Sequence, residues 1–262
     1  HPHRPDEWVP ATKYLSGSIY PKLDTARQVA QNDPRFLPNV AGLEDALPDK
    51  VTSGIKMSLG ATWIPDDVYR DFIIETLDIP AGLHDQVTVH NRADEWFVNT
   101  PKDWHTREDV DLKWGVRAAN ADGQYNFTDE EFKDFSHAGI AHSGADATVY
   151  SAAKLIEDTM NMRPPQLNVS KYAKLDKGYG ENTLVVHRKA SAFAGSKVEG
   201  LEKHFSRWVT QDPERYERLV DVYNRTLNGV VAPSYDGSHR EIAGISDRYK
   251  PYPYQLNAVE RM

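Results

Sequence analysis

Histidines, acids, tryptophans and one cluster of bases are the side chains here that could do chemistry, because the chain has no Cys. Without thiols there are no disulfides and no thiolate metal sites, so a metal would have to take His, Asp and Glu. His84, His90 and His105 lie close in sequence to Asp85, Asp109 and Asp111, and His137 and His142 stand five apart. A divalent ion accepts such groups, but these spacings match no ligand signature of the H-E-x-x-H kind. Scattered surface His and Asp is the plainer reading, and no metal ligand is assigned. Asp66-Asp67 and Glu130-Glu131 could work as acid and base. Each pair falls in the first turn of a predicted helix, where negative charge is stabilised by the helix dipole, so capping accounts for them.

Bases and aromatics offer a different chemistry. His187, Arg188, Lys189, Lys197, Lys203 and Arg207 bracket the start and polar face of one predicted helix. Phosphate contact is the functional reading of Arg188, Lys189, Lys197, Lys203 and Arg207. Glu199 and Glu202 interleave with them, which is how a merely solvated face is built. Six tryptophans could stack on bases. Trp63, Trp96 and Trp208 sit in apolar periodic runs and read as core; Trp8, Trp104 and Trp114 do not.

Several catalytic devices are missing. The chain has no G-x-x-x-x-G-K-[ST] phosphate loop, no G-x-G-x-x-G, no G-x-S-x-G elbow and no H-E-x-x-H. It also lacks an Asn-Pro-Pro-aromatic run of the kind that holds an amino group for N6-adenine methylation. No catalytic residue is assigned.

The elements that must position these groups read as α+β, mostly helical. Ile19 to Ala30 carries Leu23, Ala26 and Val29 on one face, and Asp33-Pro34 starts the next helix. Residues 55–64 read as strand and turn. Pro65-Asp66-Asp67 opens a helix with Val68, Phe72, Ile73 and Leu77 at helical spacing. Val87–Val89 and Trp96–Val98 read as a hairpin, with 114–116 as a third strand, so a small sheet is expected within 52–118. Thr128 and Glu131 form a capping box, and Asp146 is placed to cap a helix running to Met160. A C-terminal helical hairpin follows: Val198, Leu201, Phe205, Trp208 and Val209 form one stripe. Beyond Asp212-Pro213, Tyr216, Leu219, Val220, Tyr223 and Leu227 form the other, with Gly229 as the stop. A final helix begins near Tyr254. The expected organisation is an accessory α+β domain over 1–169, a polar Gly-bearing linker or loop over 170–182, and a helical region over 183–262.

The 262 residues carry 31 Lys+Arg against 39 Asp+Glu, a net charge of −8. That excludes coating of nucleic acid by bulk charge and leaves room for a local basic patch. No run of about 18 apolar residues is present, so no membrane span is expected. The lack of Cys fits a reducing, cytoplasmic compartment. The chain starts without Met and stops within a predicted helix, which reads as a piece excised from a longer protein.

Blocks spread over nearly the whole length resemble one family. They are Tyr14–Gly17 (YLSG), Asp33–Val40 (DPRF..NV), Leu59–Pro65 (LGATWIP), Asp212–Asn224 (DPER...L...YN), Tyr235–His239 (YDGSH) and Pro253–Met262 (PYQLNAVERM). In this order they resemble the middle of the large helicase–methylase polypeptides of phages, plasmids and mobile islands, relatives of the phage defence-against-restriction proteins. Those join an N6-adenine DNA methyltransferase-like region to an SNF2-type superfamily 2 helicase-like region. The resemblance implies a P-loop after Met262 and methylase motifs before His1. It implies that Gln255, in Lys250–Gln255 (KPYPYQ), reads the adenine of ATP once joined to that domain. ATP with Mg and S-adenosylmethionine are then cofactors of the parent, none of this piece. Its partners would be DNA and the neighbouring helicase and methyltransferase domains. On this reading the piece is a non-catalytic accessory or linker segment, contacting DNA and positioning the ATPase core. A small metal-dependent hydrolase and a protein–protein interaction module are the alternatives.

Overall fold

The computed structural model describes residues 9–101, 110, 113–117, 135–137, 148–165, 168–175, 178–186, 188–238 and 248–261. For 117, 135–137, 148–150, 168–175, 178–186 and 188–190 it describes the backbone only. In chain order the elements are α1 (Ala11–Tyr14), β1 (Gly17–Ser18), α2 (Ile19–Ala30), α3 (Leu37–Asp45), α4 (Asp66–Leu77), β2 (Thr88–Arg92) and β3 (Glu95–Asn99). Then come β4 (Val116–Arg117), β5 (Phe135–His137), β6 (Thr148–Tyr150), α5 (Ala152–Met160), β7 (Asn168–Leu175) and β8 (Gly178–Val186). The chain ends with α6 (Arg188–Gln211), α7 (Pro213–Tyr223), β9 (Val230–Val231) and α8 (Pro253–Arg261). The fold is α+β and mostly helical, with small antiparallel sheets and packed helices.

Two compact units divide the chain: His1–Ile55 with Val220–Met262, and Lys56–Leu219. The division falls inside α7. The expected boundaries at 169 and 182 both fall within the second unit.

In the first unit, α2 packs Ile19, Leu23 and Ala26 against Leu43 of α3 and Tyr14, with Val231 at the margin. β1 pairs antiparallel with β9, Gly17 opposite Val231. Lys22 ends α1 by donating to the carbonyls of Tyr14 (2.9 Å) and Ser16 (2.5 Å), groups a helix end leaves free. Residues 224–228 form a π-turn, with Gly229 N donating to the Asn224 carbonyl at 2.7 Å. The wider turn rotates the stripe, so Leu227 is exposed where an unbroken α-helix would bury it, while Asn224 goes inside.

The second unit is built on α4. Asp66 and Asp67 occupy its first turn, and it stops at Asp78, whose φ of 53° is left-handed. β2 and β3 form the expected hairpin in the register Val89↔Val98. Its two-residue turn, Ala93-Asp94, has both φ positive (53° and 62°), as the twist of a tight hairpin demands. α5 covers the outer edge of β3 with side chains instead of a strand. Glu157 accepts from Val98 N at 3.0 Å, and Asn161 takes both Trp96 N and O at 2.8 and 2.9 Å. α6 lays Leu201, Phe205, Trp208 and Val209 into the same core, as its spacing requires. Gly195, inside α6, has no described atom within 4 Å of where a Cβ would go. Gly195→Ala is therefore expected to raise stability by about 0.5–1 kcal/mol, through helix propensity alone. A lowered denaturation midpoint would contradict that.

Four expectations are corrected. Residues 55–64 form turns, not a strand: Ala61 N donates to Ser58 O, Ile64 N to Ala61 O, and Gly60 has φ +90°. The cap of the helix ending at Met160 is Ser151, accepting from Lys154 N at 3.2 Å, because 148–150 is spent as strand β6. Val116 pairs with Tyr150 in a sheet of its own instead of joining β2 and β3. Finally, 170–175 and 178–182 are strand where a linker or loop was expected. β7 and β8 pair antiparallel from Asn168↔Val186 to Leu175↔Gly178, and β5 pairs with β7. Polar composition marks a strand as solvated, yet its backbone still pairs. The Thr128–Glu131 capping box and Asp146 lie outside the described residues.

Candidate nucleic-acid interface

Lys197, Lys203 and Arg207 do not share one face. At 3.6 residues per turn, Lys203 and Arg207 point away from the buried stripe, whereas Lys197 lies on its flank. Lys203 and Arg207 are exposed, and Lys203 stands 3.9 Å from Glu199, one turn earlier. A pair this exposed is held weakly and screened by salt. Lys197 is half-buried; its ammonium donates to the Lys113 carbonyl at 2.8 Å and sits 5.2 Å from the Phe193 ring. Burial lowers its pKa. Arg188 and Lys189 stand in the first turn of α6, with side chains outside the described set.

Beside these bases stand Lys113 and His204, not named from sequence as contacts, and Trp114, named there only as one of six tryptophans able to stack on bases. Trp114, half-buried, stacks on the His204 imidazole of α6, centroids 4.6 Å apart and planes at 23°. Lys113 Nζ lies 4.7 Å from the indole centroid. His204 is held below its usual pKa first by burial, then by the Lys113 and Arg207 charges. Gly200, His204 and Arg207 thus lie along one strip of α6, with Lys197 at its edge and Trp114 beside Gly200 and His204. The available signal was that Trp114 lies outside the apolar runs; its meeting with α6, some 90 residues on, was not in the pattern.

The nearby acids are occupied in structure. Glu75 accepts from Trp208 Nε1 at 2.6 Å, and the Arg215 guanidinium lies 3.3 Å over the Trp208 ring while donating to its carbonyl at 2.7 Å. Asp212 accepts from Arg215 N at 3.1 Å, capping α7. Asp67 pairs with Arg218 at 2.7 Å, and that hydrogen bond holds the Asp67 carboxyl below its usual range. Tyr69 directs its hydroxyl to the Ser58 and Ala61 carbonyls at 3.2 and 3.0 Å, and burial pushes its phenol upward. Each of these groups has a structural partner.

Of the histidines near Asp85, His84 Nε2 lies 2.8 Å from the Ile79 carbonyl and His90 stacks on Phe97. His137 is in β5; His105, His142, Asp109 and Asp111 lie outside the described residues. Among the described residues no three His, Asp or Glu side chains gather. Gln255 is used locally as well. Its carbonyl oxygen accepts from Tyr252 N at 2.9 Å, the backbone half of a capping box for α8, with the Tyr249 hydroxyl 3.3 Å from its Nε2.

Residues 58–229 match the model of a family described as a domain of unknown function, DUF8437. The chain belongs to this family. The DUF8437 span contains nearly all of the second unit, including Lys113, Trp114 and α6, and excludes Gln255. No curated protein and no solved structure matches the chain. Within DUF8437 no described helix is long and apolar enough to cross a membrane.

Proposed function

We propose that this chain is a non-catalytic accessory segment of a DNA helicase–methyltransferase polypeptide, touching DNA through the basic side of α6. The observation that carries the reading is what the family-like blocks do. In LGATWIP, Gly60 lies against the backbone of Met160 and its carbonyl accepts from Trp96 Nε1 at 2.8 Å. In YDGSH, Gly237 N donates to Asn257 Oδ1 of PYQLNAVERM at 2.8 Å, and a Cβ at 237 would come within 2.8 Å of Asn257 N. In DPER...L...YN, Asn224 is buried and holds the Val51 backbone. These blocks are joints between backbone segments, as a segment that sets geometry needs, and among the described residues they assemble no reactive group. Chemistry then belongs to regions flanking this one, with ATP, Mg and S-adenosylmethionine as cofactors there.

Purified chain is expected to hydrolyse no ATP and transfer no methyl group. It should bind duplex DNA weakly, with micromolar or poorer affinity as the rough scale for non-specific contact at physiological salt. Lys203→Glu with Arg207→Glu should weaken binding about tenfold at low salt and flatten the log-affinity against log-salt slope by about 2, one per lost phosphate. Lys197→Glu should add less, since Lys197 is already engaged with Lys113. Unchanged affinity of the double variant at several salt concentrations would make α6 a solvated face and the segment a spacer.

A further inference from the structure

Trp114 is a large ring with no role in the packing stripe of α6. It lies over the strip where the helix is smallest: a Cβ on Gly200 would find Trp114 Cζ3 as its nearest described neighbour, at 3.8 Å. The His204 imidazole supports the indole by stacking, and Lys197 ties the neighbouring backbone to α6 by donating to the Lys113 carbonyl. The indole is therefore stacked on α6, and the backbone beside it is tied to the same helix. Lys113 is exposed, and its ammonium rests on the indole. An ammonium on a flexible stem is weakly committed to such a ring and can be displaced by a flat aromatic group. Arg207 lies two turns from Gly200 on the same strip and is exposed.

A supported aromatic ring with cations beside it fits single-stranded nucleic acid, in which bases are open to stacking and phosphates follow at short intervals. A duplex offers the phosphates and hides the base faces. We propose that Trp114, seated on Gly200 and His204, is a stacking platform for one base of single-stranded DNA. Lys113 swings off the ring to meet a phosphate and Arg207 meets another. His204 and Lys197 act as positioning residues. The inference deepens the DNA-contact reading above and rests on it.

The test compares the full 262-residue chain with its variants by anisotropy, using a labelled oligothymidylate and a duplex of equal length. The parent should prefer the single strand. Trp114→Leu should lose about tenfold on the single strand, a typical result of removing one stacking ring, and nothing on the duplex. Trp114→Phe should recover part of the loss. Thermal melting checks each fold, and Lys113→Glu, at an exposed site, gives a second route: it should weaken the single strand several-fold more than the duplex. Trp114→Leu binding both forms as the parent does, or Lys113→Glu weakening both equally, overturns the platform and leaves the phosphate contact standing. A parent that binds neither form overturns both.

Discussion

Gly60→Ala is expected to cost about 2–6 kcal/mol, from left-handed strain and overpacking of about 1–3 kcal/mol each. Two independent features converge on this residue. Its φ of +90° is one that side-chain-bearing residues rarely adopt, and a methyl there would come within 2.6 Å of Met160 Cα and closer still to its carbonyl. The obstacle is backbone at the end of α5, so no side chain can rotate away. α5 in turn carries Glu157 and Asn161, which hold the edge of β3, and the Gly60 carbonyl holds Trp96. A loss of this size is a large part of the 5–15 kcal/mol that stabilises a typical domain. In urea, the transition reported by Trp96 and its neighbours should move to much lower concentration or vanish. A Gly60→Ala chain that melts within about 1 kcal/mol of the parent would show that α5 can shift to make room, and that this close approach does not govern the unit.

Elements whose cause lies within their own residues could be read from the sequence. α4 buries the whole stripe its spacing predicts, α2 and α6 bury most of theirs with Val29 and Val198 only half-buried, and the β2–β3 hairpin follows from two short apolar runs around a polar turn. Elements whose cause lies elsewhere could not. The polar β7–β8 pair is held by backbone bonds that composition does not encode. Residues 55–64 alternate apolar side chains as a strand would, and Met57, Leu59 and Ile64 are indeed buried. Turns deliver them because Gly60 must meet Met160, a hundred residues away. The candidate site divides in the same way. Lys197, Lys203 and Arg207 are neighbours in sequence, and helical geometry alone separates the first from the other two. Trp114 and His204 are distant in sequence, and their stacking needed the folded chain.

The second large effect is expected at Asn224. This residue is 1% exposed, and its carboxamide is saturated: Oδ1 accepts from Val51 N (2.9 Å) and Asn228 Nδ2 (2.9 Å), and Nδ2 donates to the Val51 and Val220 carbonyls (2.8 Å each). The amide mimics a strand partner for Val51, giving a donor and an acceptor to one residue's backbone. Asn224→Ala removes all four bonds and deprives the half-buried Val51 N–H and C=O of these partners, at a cost of about 2–4 kcal/mol. Asn224→Asp separates the two halves of the role. It keeps acceptors for Val51 N and Asn228, but sets a carboxylate against two carbonyls, so it should be no better than Ala at neutral pH. Its deficit should shrink as acid protonates the carboxyl and restores one donor. The measurement is hydrogen exchange at the Val51 amide alongside global stability: exchange should accelerate about 30-fold or more, the factor equivalent to about 2 kcal/mol. Protection of Val51 at the parent's level in Asn224→Ala would mean that this segment is held by something other than the Asn224 carboxamide.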